Sequence, residues 1–396
     1  MTTFIRVAEI WVPTRDRMKL QFGGGLYGPL GKFRATSEAT HFGFDEGLPG
    51  RAWAAGRPVV MTDLENSHFK RGAAAKAAGL TCGVALPIFA GDFLMAVVVL
   101  FCGADDTHIG AIELWHSDLD ASYDLRLADG YFGAGDTFEF NARRTKFPRG
   151  YGLPGRAWKA NMPSIAKDLL NSKSFLRSQQ AAGIGINRGL GIPYLQASGH
   201  TWVATFLSAR DTPIARRLEI WVPNEAGDAL IFHSGDCDQN TCLAMDYQNV
   251  RIGKQDGIIG RVWFTGIPTV LDRCAGDASP IGRSAAAAGM DAMLAVPFIH
   301  AGRLGMQRQL SPGASTVPAG GDVPLDRRAP RVAGHWPVRR GQVVATATST
   351  ILRCLFNCLA AFCAGPRYSI GTQALRIAVR CMALRGARRL AIGAIG

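Results

Sequence analysis

A seven-residue pattern recurs three times at a constant interval. GLPGRAW runs from Gly47 to Trp53 and again from Gly152 to Trp158, and GIIGRVW runs from Gly257 to Trp263, each step being 105 residues. So long a period is that of a small domain laid end to end, because solenoid repeats are several-fold shorter. Other landmarks keep the same ruler. Glu9-Ile10-Trp11, Glu113-Leu114-Trp115 and Glu219-Ile220-Trp221 open the copies; Pro58, Pro163 and Pro268 follow the pattern, then Asp63, Asp168 and Asp272, and later Pro87, Pro193 and Pro297.

The chain of 396 residues is 47% hydrophobic and 19% charged, which is globular composition with room for several cores. The opening MTTFIRVAEIWVP lacks the apolar stretch and cleavage site of a secretory leader, and no apolar run is long enough to span a bilayer. The nine cysteines show neither zinc spacing nor a disulfide framework. Scattered cysteines such as Cys82, Cys102 and Cys274 suit a reducing compartment, so a cytoplasmic location is expected.

The net charge of +13 belongs to the end of the chain. Residues 306–396 hold 13 Arg, two Asp and no Lys or Glu, leaving the rest nearly neutral. A basic repeat surface for specific nucleic-acid binding is therefore not expected. The repeat pattern also fails near Gly305, where MQRQLSPGASTVPAGG stands in place of an apolar strand. The composition of 306–396 reads as DNA translated out of frame, as a disordered basic tail that binds nucleic acid non-specifically, or, around Ile351–Cys363, as a membrane-surface segment, and on each reading the third copy lacks its closing strand.

Within one copy, Val7–Val12 alternates as a strand and Met18–Phe22 continues it as a hairpin. Residues 23–44 read as a loop. The Gly-Arg pattern starts a short helix that must stop before Pro58. At the three stops stand Gly56, Asn161 and Gly266, residue types that accept the left-handed conformation of a helix C-cap. A short strand to Met61, a helix over Ser67–Ala78, and strands over Gly83–Phe89 and Met95–Phe101 complete the unit. The fold class is α+β, an antiparallel sheet of about five to six strands with short helices on one side.

The stretches GLPGRAWAAGRPVVMTDL, AAAKAAG and GVALPIF together resemble the GAF domain family. Three tandem GAF-like units are expected at 1–107, 108–210 and 211–305, the third truncated, followed by the tail 306–396. The resemblance implies a small-molecule sensing or signalling module without catalytic output, whose partners are a small-molecule ligand or a separate output protein. Family members usually carry flanking helices that pair in dimers; only residues 102–111 separate Phe101 from Ile112, too few for such a helix.

The candidate residues divide by chemistry. Arg51, Arg156 and Arg261 at the helix start and Asp63, Asp168 and Asp272 after the following strand are expected to form one ion pair per unit, a staple of the fold. Gly50, Gly155 and Gly260 belong to the same motif, and Trp53, Trp158 and Trp263 are expected to pack helix on sheet. Cys82 is the candidate nucleophile of an alternative reading, a thiol-dependent reductase like the free methionine sulfoxide reductases of this fold, which needs a lowered thiol pKa. A scaffold with closed cores and no ligand is a third reading. The histidines do not cluster, so no metal site is expected, and the residues leave the identity of any ligand or cofactor unknown.

Overall fold

The computed structural model describes residues 3–103, 108–117, 123–133, 135–196, 199–300, 379–384 and 387–395. These form three antiparallel sheets. In the first, β1 (Ile5–Pro13), β2 (Lys19–Leu26), β3 (His41–Gly43), β4 (Val59–Met61), β5 (Cys82–Ala90) and β6 (Phe93–Cys102) stand in the order β3-β2-β1-β6-β5-β4. The second repeats this with β7 (Gly110–Ser117), β8 (Leu125–Tyr131), β9 (Lys146–Phe147), β10 (Ser164–Ala166), β11 (Ile186–Leu195) and β12 (Thr201–Ala209), ordered β9-β8-β7-β12-β11-β10. The third is ordered β14-β13-β18-β16-β15, from β13 (Arg217–Pro223), β14 (Leu230–Cys237), β15 (Thr269–Leu271), β16 (Met293–His300) and β18 (Ala387–Ile395), with β17 (Val379–Leu384) pairing β18. The slot taken by β6 and β12 in the first two sheets, expected to be vacant in the third, holds β18, antiparallel to both β13 and β16. Most of the segment 306–396 lies outside the described residues.

Each sheet carries three short helices on one face. They are α1 (Gly31–Glu38), α2 (Gly47–Ala55) and α3 (Gly72–Ala77); α4 (Asp136–Arg144), α5 (Gly152–Ala160) and α6 (Ser178–Gly183); and α7 (Leu243–Asp246), α8 (Gly257–Thr265) and α9 (Pro280–Ala287). The Gly-Arg pattern forms α2, α5 and α8. Their C-caps Gly56, Asn161 and Gly266 have φ of 60°, 49° and 69°, so two residue types meet one left-handed requirement. The second motif glycine is fixed by close approach: a Cβ on Gly50 or Gly155 would stand 2.2 Å from the carbonyl oxygen of Gly43 or Pro148. Residues 23–44, expected as a loop, instead extend β2 to Leu26 and then form α1 and β3. The helix expected over Ser67–Ala78 begins only at Gly72, because Phe69 and Arg71 turn inward and are buried.

The strands alternate between two buried faces. On β1, Val7 and Trp11 join a core beneath the helices, whereas Ala8 and Ile10 point the other way. Each sheet has its own helix-side core, and the opposite faces of all three meet in one shared cluster containing Ala8 and Ile10, Ile112 and Leu114, and Leu218 and Ile220.

Candidate functional site

At the centre of each helix-side core lies a buried carboxylate. Residues two apart on a strand share a face, so the Glu-x-Trp landmark places Glu9, Glu113 and Glu219 beside the core tryptophans Trp11, Trp115 and Trp221. Each indole Nε1 donates to its neighbouring carboxylate, at 2.8, 3.0 and 3.0 Å. All three carboxylates are fully buried. Such a charge is tolerated only with a partner.

In the first sheet the partner is Arg71, the residue preceding α3. Its two terminal nitrogens grip both oxygens of Glu9, with Nη2 to Oε2 at 2.9 Å. The Tyr27 hydroxyl (2.9 Å) and the Ser37 hydroxyl (2.8 Å) donate to Oε1. Burial, with the carboxylate beside it, pushes the Tyr27 phenol far above its usual range and keeps it a donor. Five aromatic rings surround the guanidinium at 4.8 to 5.7 Å, those of Trp11, Phe33, Phe42, Phe69 and Phe101. Such ring faces favour a desolvated cation.

The second sheet repeats the plan. Arg177 grips Glu113, with Nη2 to Oε2 at 3.0 Å, and Thr205 adds a hydroxyl donor at 2.9 Å. Trp115, Phe138, Phe147 and Phe175 surround the guanidinium. The third sheet moves the cation. Gly79, Gly185 and Gly289 close the equivalent helices with positive φ, and counting back from them puts Ile281 where Arg71 and Arg177 stand. Ile281 is buried and apolar. Here Arg217, two residues before Glu219 on β13, supplies the charge through Nε at 2.7 Å and reaches the Tyr247 hydroxyl, also at 2.7 Å. Its counterparts on the first two sheets are Val7 and Ala111. Glu219 is held above the usual carboxylate range by burial, against the opposing pull of Arg217.

The ion pairs therefore differ from those expected. Among the described residues no ion pair joins Arg51 to Asp63, Arg156 to Asp168 or Arg261 to Asp272. Asp63 accepts instead from the Glu65 and Asn66 backbone amides and the Asn66 side chain, and Asp168 likewise from Asn171. These exposed carboxylates sit below their usual pKa range because of those donors and cap the turn that follows the strand. Local amides outcompeted a distant guanidinium. Trp263 and Trp158 are buried, while Trp53 is half-buried under Phe44, with ring centroids 5.2 Å apart. Arg71, Arg177 and Arg217 were not singled out from sequence, although a Glu placed beside a core Trp was the signal that a buried cation had to follow.

Cys82 is fully buried on β5, directly opposite Cys102 on β6. Burial first, and then the neighbouring Cys102, push its thiol well above the usual range. Among the described residues no group of three or more His, Cys, Asp or Glu is placed to hold a metal, and no helix is long and apolar enough to cross a membrane.

A curled antiparallel sheet in the order 3-2-1-6-5-4, with helices on one face, is the architecture that the sequence resemblance implied. Residues 6–117 match the model of the GAF domain. The chain carries a GAF domain. Solved structures similar to it include the GAF domain of A. aeolicus nlh2 in an inactive state (20% identity, 26% of this chain and 59% of that one, TM-score 0.21). They also include the free methionine-R-sulfoxide reductase of Neisseria meningitidis in complex with its substrate (16%, 26% and 53%, TM-score 0.20) and a GAF domain/HD domain protein of Geobacter sulfurreducens (14%, 25% and 63%, TM-score 0.22). The chain thus spans less than two thirds of each. No curated protein matches it in sequence.

Proposed function

We propose that this chain is a non-catalytic regulatory module made of three GAF-like units, acting through contacts with a separate signalling protein. The GAF match over 6–117 supports a sensing or regulatory role in general. The observation that carries the choice within that role is the filled centre of each helix-side core. The Glu9–Arg71 and Glu113–Arg177 pairs, ringed by aromatic side chains, and the Glu219–Arg217 pair, against the Tyr247 ring, fill space beneath the helices. Each guanidinium acts there as an internal ligand, fixing the helices to the sheet and leaving their outer surfaces for recognition. The burial of Cys82 and the direction of its thiol pKa speak against the reductase reading, since a nucleophile needs thiolate.

Native mass spectrometry of the freshly purified chain tests the proposal. The expected spectrum is the bare polypeptide mass, unchanged when the chain is incubated with extracts of small metabolites. A stoichiometric small-molecule adduct on the parent chain, lost on Arg71→Ala substitution, would reverse the reading in favour of small-molecule sensing.

A further inference from the structure

The shared cluster behind the three sheets follows a cyclic rule. The short strand β4 of the first sheet lies against β8 of the second, β10 of the second against β14 of the third, and β15 of the third against β2 of the first. These are the same two elements of the unit at every junction, and the third step returns to the start. Head-to-tail contacts between equivalent units close into a ring only when the rotation fits, here after three copies. The unit starts converge as well: the Phe4 amide donates to the Pro213 carbonyl at 3.0 Å, and the Phe4 ring crowds Gly110 so closely that a Cβ there would stand 2.5 Å from it. We propose that the three units close a pseudo-threefold ring within one chain, a covalent trimer whose junctions are keyed so that only one order fits.

The keys lie at equivalent positions. Counting from Pro87, Pro193 and Pro297, one position, on β5, on β11 and just before β16, is Cys82, Arg188 and Ala292. The matching position near the end of the second hairpin strand of the next unit is Tyr131, Asp236 and Leu26 in turn. At the first junction the Thr81 hydroxyl, beside Cys82, lies 3.4 Å from that of Tyr131. At the second, Arg188 pairs with both oxygens of Asp238 and lies 3.8 Å from Asp236. At the third, Ala292 and Leu26 are buried in the shared apolar cluster. The residue after each α2-type C-cap varies in the same way: Arg57 stacks over Trp202 of the second sheet at 4.3 Å, whereas Met162 packs on the apolar cluster. Arg188 set against Leu26 would be a half-buried cation without a carboxylate, and Asp236 set against Ala292 an anion without a cation. Wrong orders are penalised, which is how specificity arises among similar surfaces.

The test uses the full chain in chemical denaturation followed by tryptophan fluorescence, with Arg188→Ala, Arg188→Glu, Asp238→Arg and the exchange Arg188→Glu with Asp238→Arg. A keyed ring predicts one cooperative transition for the parent. Both charge reversals should raise the unfolded-to-folded ratio at least tenfold at fixed denaturant, Arg188→Ala less, and the exchange should recover most of the loss. Hydrogen exchange in Arg188→Glu should quicken at the β10–β14 junction and also at β15–β2, because opening one junction of a ring releases the others. Separate transitions in the parent, exchange confined to β10–β14, or a double variant no better than its parents would each overturn the proposal. Should Arg188→Glu fail to fold, Arg188→Ala with the same exchange readout decides.

Discussion

The third sheet offers its own design for a decisive experiment on the first. Arg71→Ile installs the residue found at the matching position Ile281 and leaves Glu9 buried with its hydroxyl and indole donors but no cation. Removing one member of a buried pair costs about 3–5 kcal/mol, and here both lost bonds are charge-assisted. Adding Val7→Arg then copies Arg217. Val7 is buried on the helix face of β1, two residues from Glu9, and a guanidinium placed there approaches the carboxylate as Arg217 approaches Glu219. The double variant should regain at least half of the loss. Thermal unfolding also reports the size of the cooperative unit. With an unfolding entropy of roughly 2 cal/mol/K per residue, about 3–5 kcal/mol spread over a body of about 300 residues lowers Tm by roughly 5–8 °C, whereas a unit of about 100 residues melting alone would drop by roughly 15–25 °C. A double variant as unstable as Arg71→Ile would refute the equivalence of the two cation positions.

Other expectations follow from single contacts. Trp115→Phe removes an indole donor to Glu113 while keeping an aromatic ring, and should cost about 1–3 kcal/mol in urea unfolding. Gly50→Ala forces a methyl against the Gly43 carbonyl oxygen and should cost about 1–3 kcal/mol, whereas Gly31→Ala, with open space around it, should change stability little. Asp236 is held above the usual carboxylate range by burial, more than Arg188 lowers it, so its charged form is less favoured in the folded chain than in the unfolded one. Its contribution is favourable below the unfolded pKa and is lost as pH rises through the folded value. Asp236→Asn should therefore stabilise the chain at pH 7 and flatten the decline in Tm as pH rises from about 4. Among the described cysteines, exposed Cys242 should react with an aromatic disulfide reagent at once, while Cys82, Cys102 and Cys274 (its thiol pushed up to about 12 by burial) should react only on unfolding.

What sequence reasoning recovered and what it missed divide along a physical line. Helix starts, left-handed stops and apolar strands are local, set by Gly, Asn, Pro and alternation, and α2, β4, β5 and β6 lie where the pattern put them. The span 23–44 was misread because three glycines in β2 hide a strand. Gly25 is a glycine because a Cβ there would stand 2.9 Å from the Ala8 carbonyl oxygen, a demand of the neighbouring strand that its own sequence does not display. The ion pair was assigned to the wrong residues for a related reason. Conserved spacing drew attention to Arg51 and Asp63, but a pair is decided by which groups are buried together. Glu9 and Arg71 are 62 residues apart, and only the fold brings them together.

The same strand alternation ties the two levels of organisation to each other. On β1, Val7, Glu9 and Trp11 serve the helix-side network, and Ala8 and Ile10, between them, serve the shared cluster behind the sheet. A one-residue slip of β1 would expose the carboxylate to an apolar neighbour and turn Trp11 into a space shaped for Ala8 and Ile10. The buried Glu–Arg pair therefore specifies register for the inner interface as well as docking α3 on its own sheet. Since both faces of each sheet are committed, the outer helix surfaces and the connecting loops are what is left for the proposed partner to recognise. What lies over the repeated tryptophan of the Gly-Arg helix differs between units, Phe44 on Trp53 in the first and Lys254 on Trp263 in the third. Recognition that distinguishes one unit from another is thus available only where the repeat does not hold, while the repeated residues build the body that presents it.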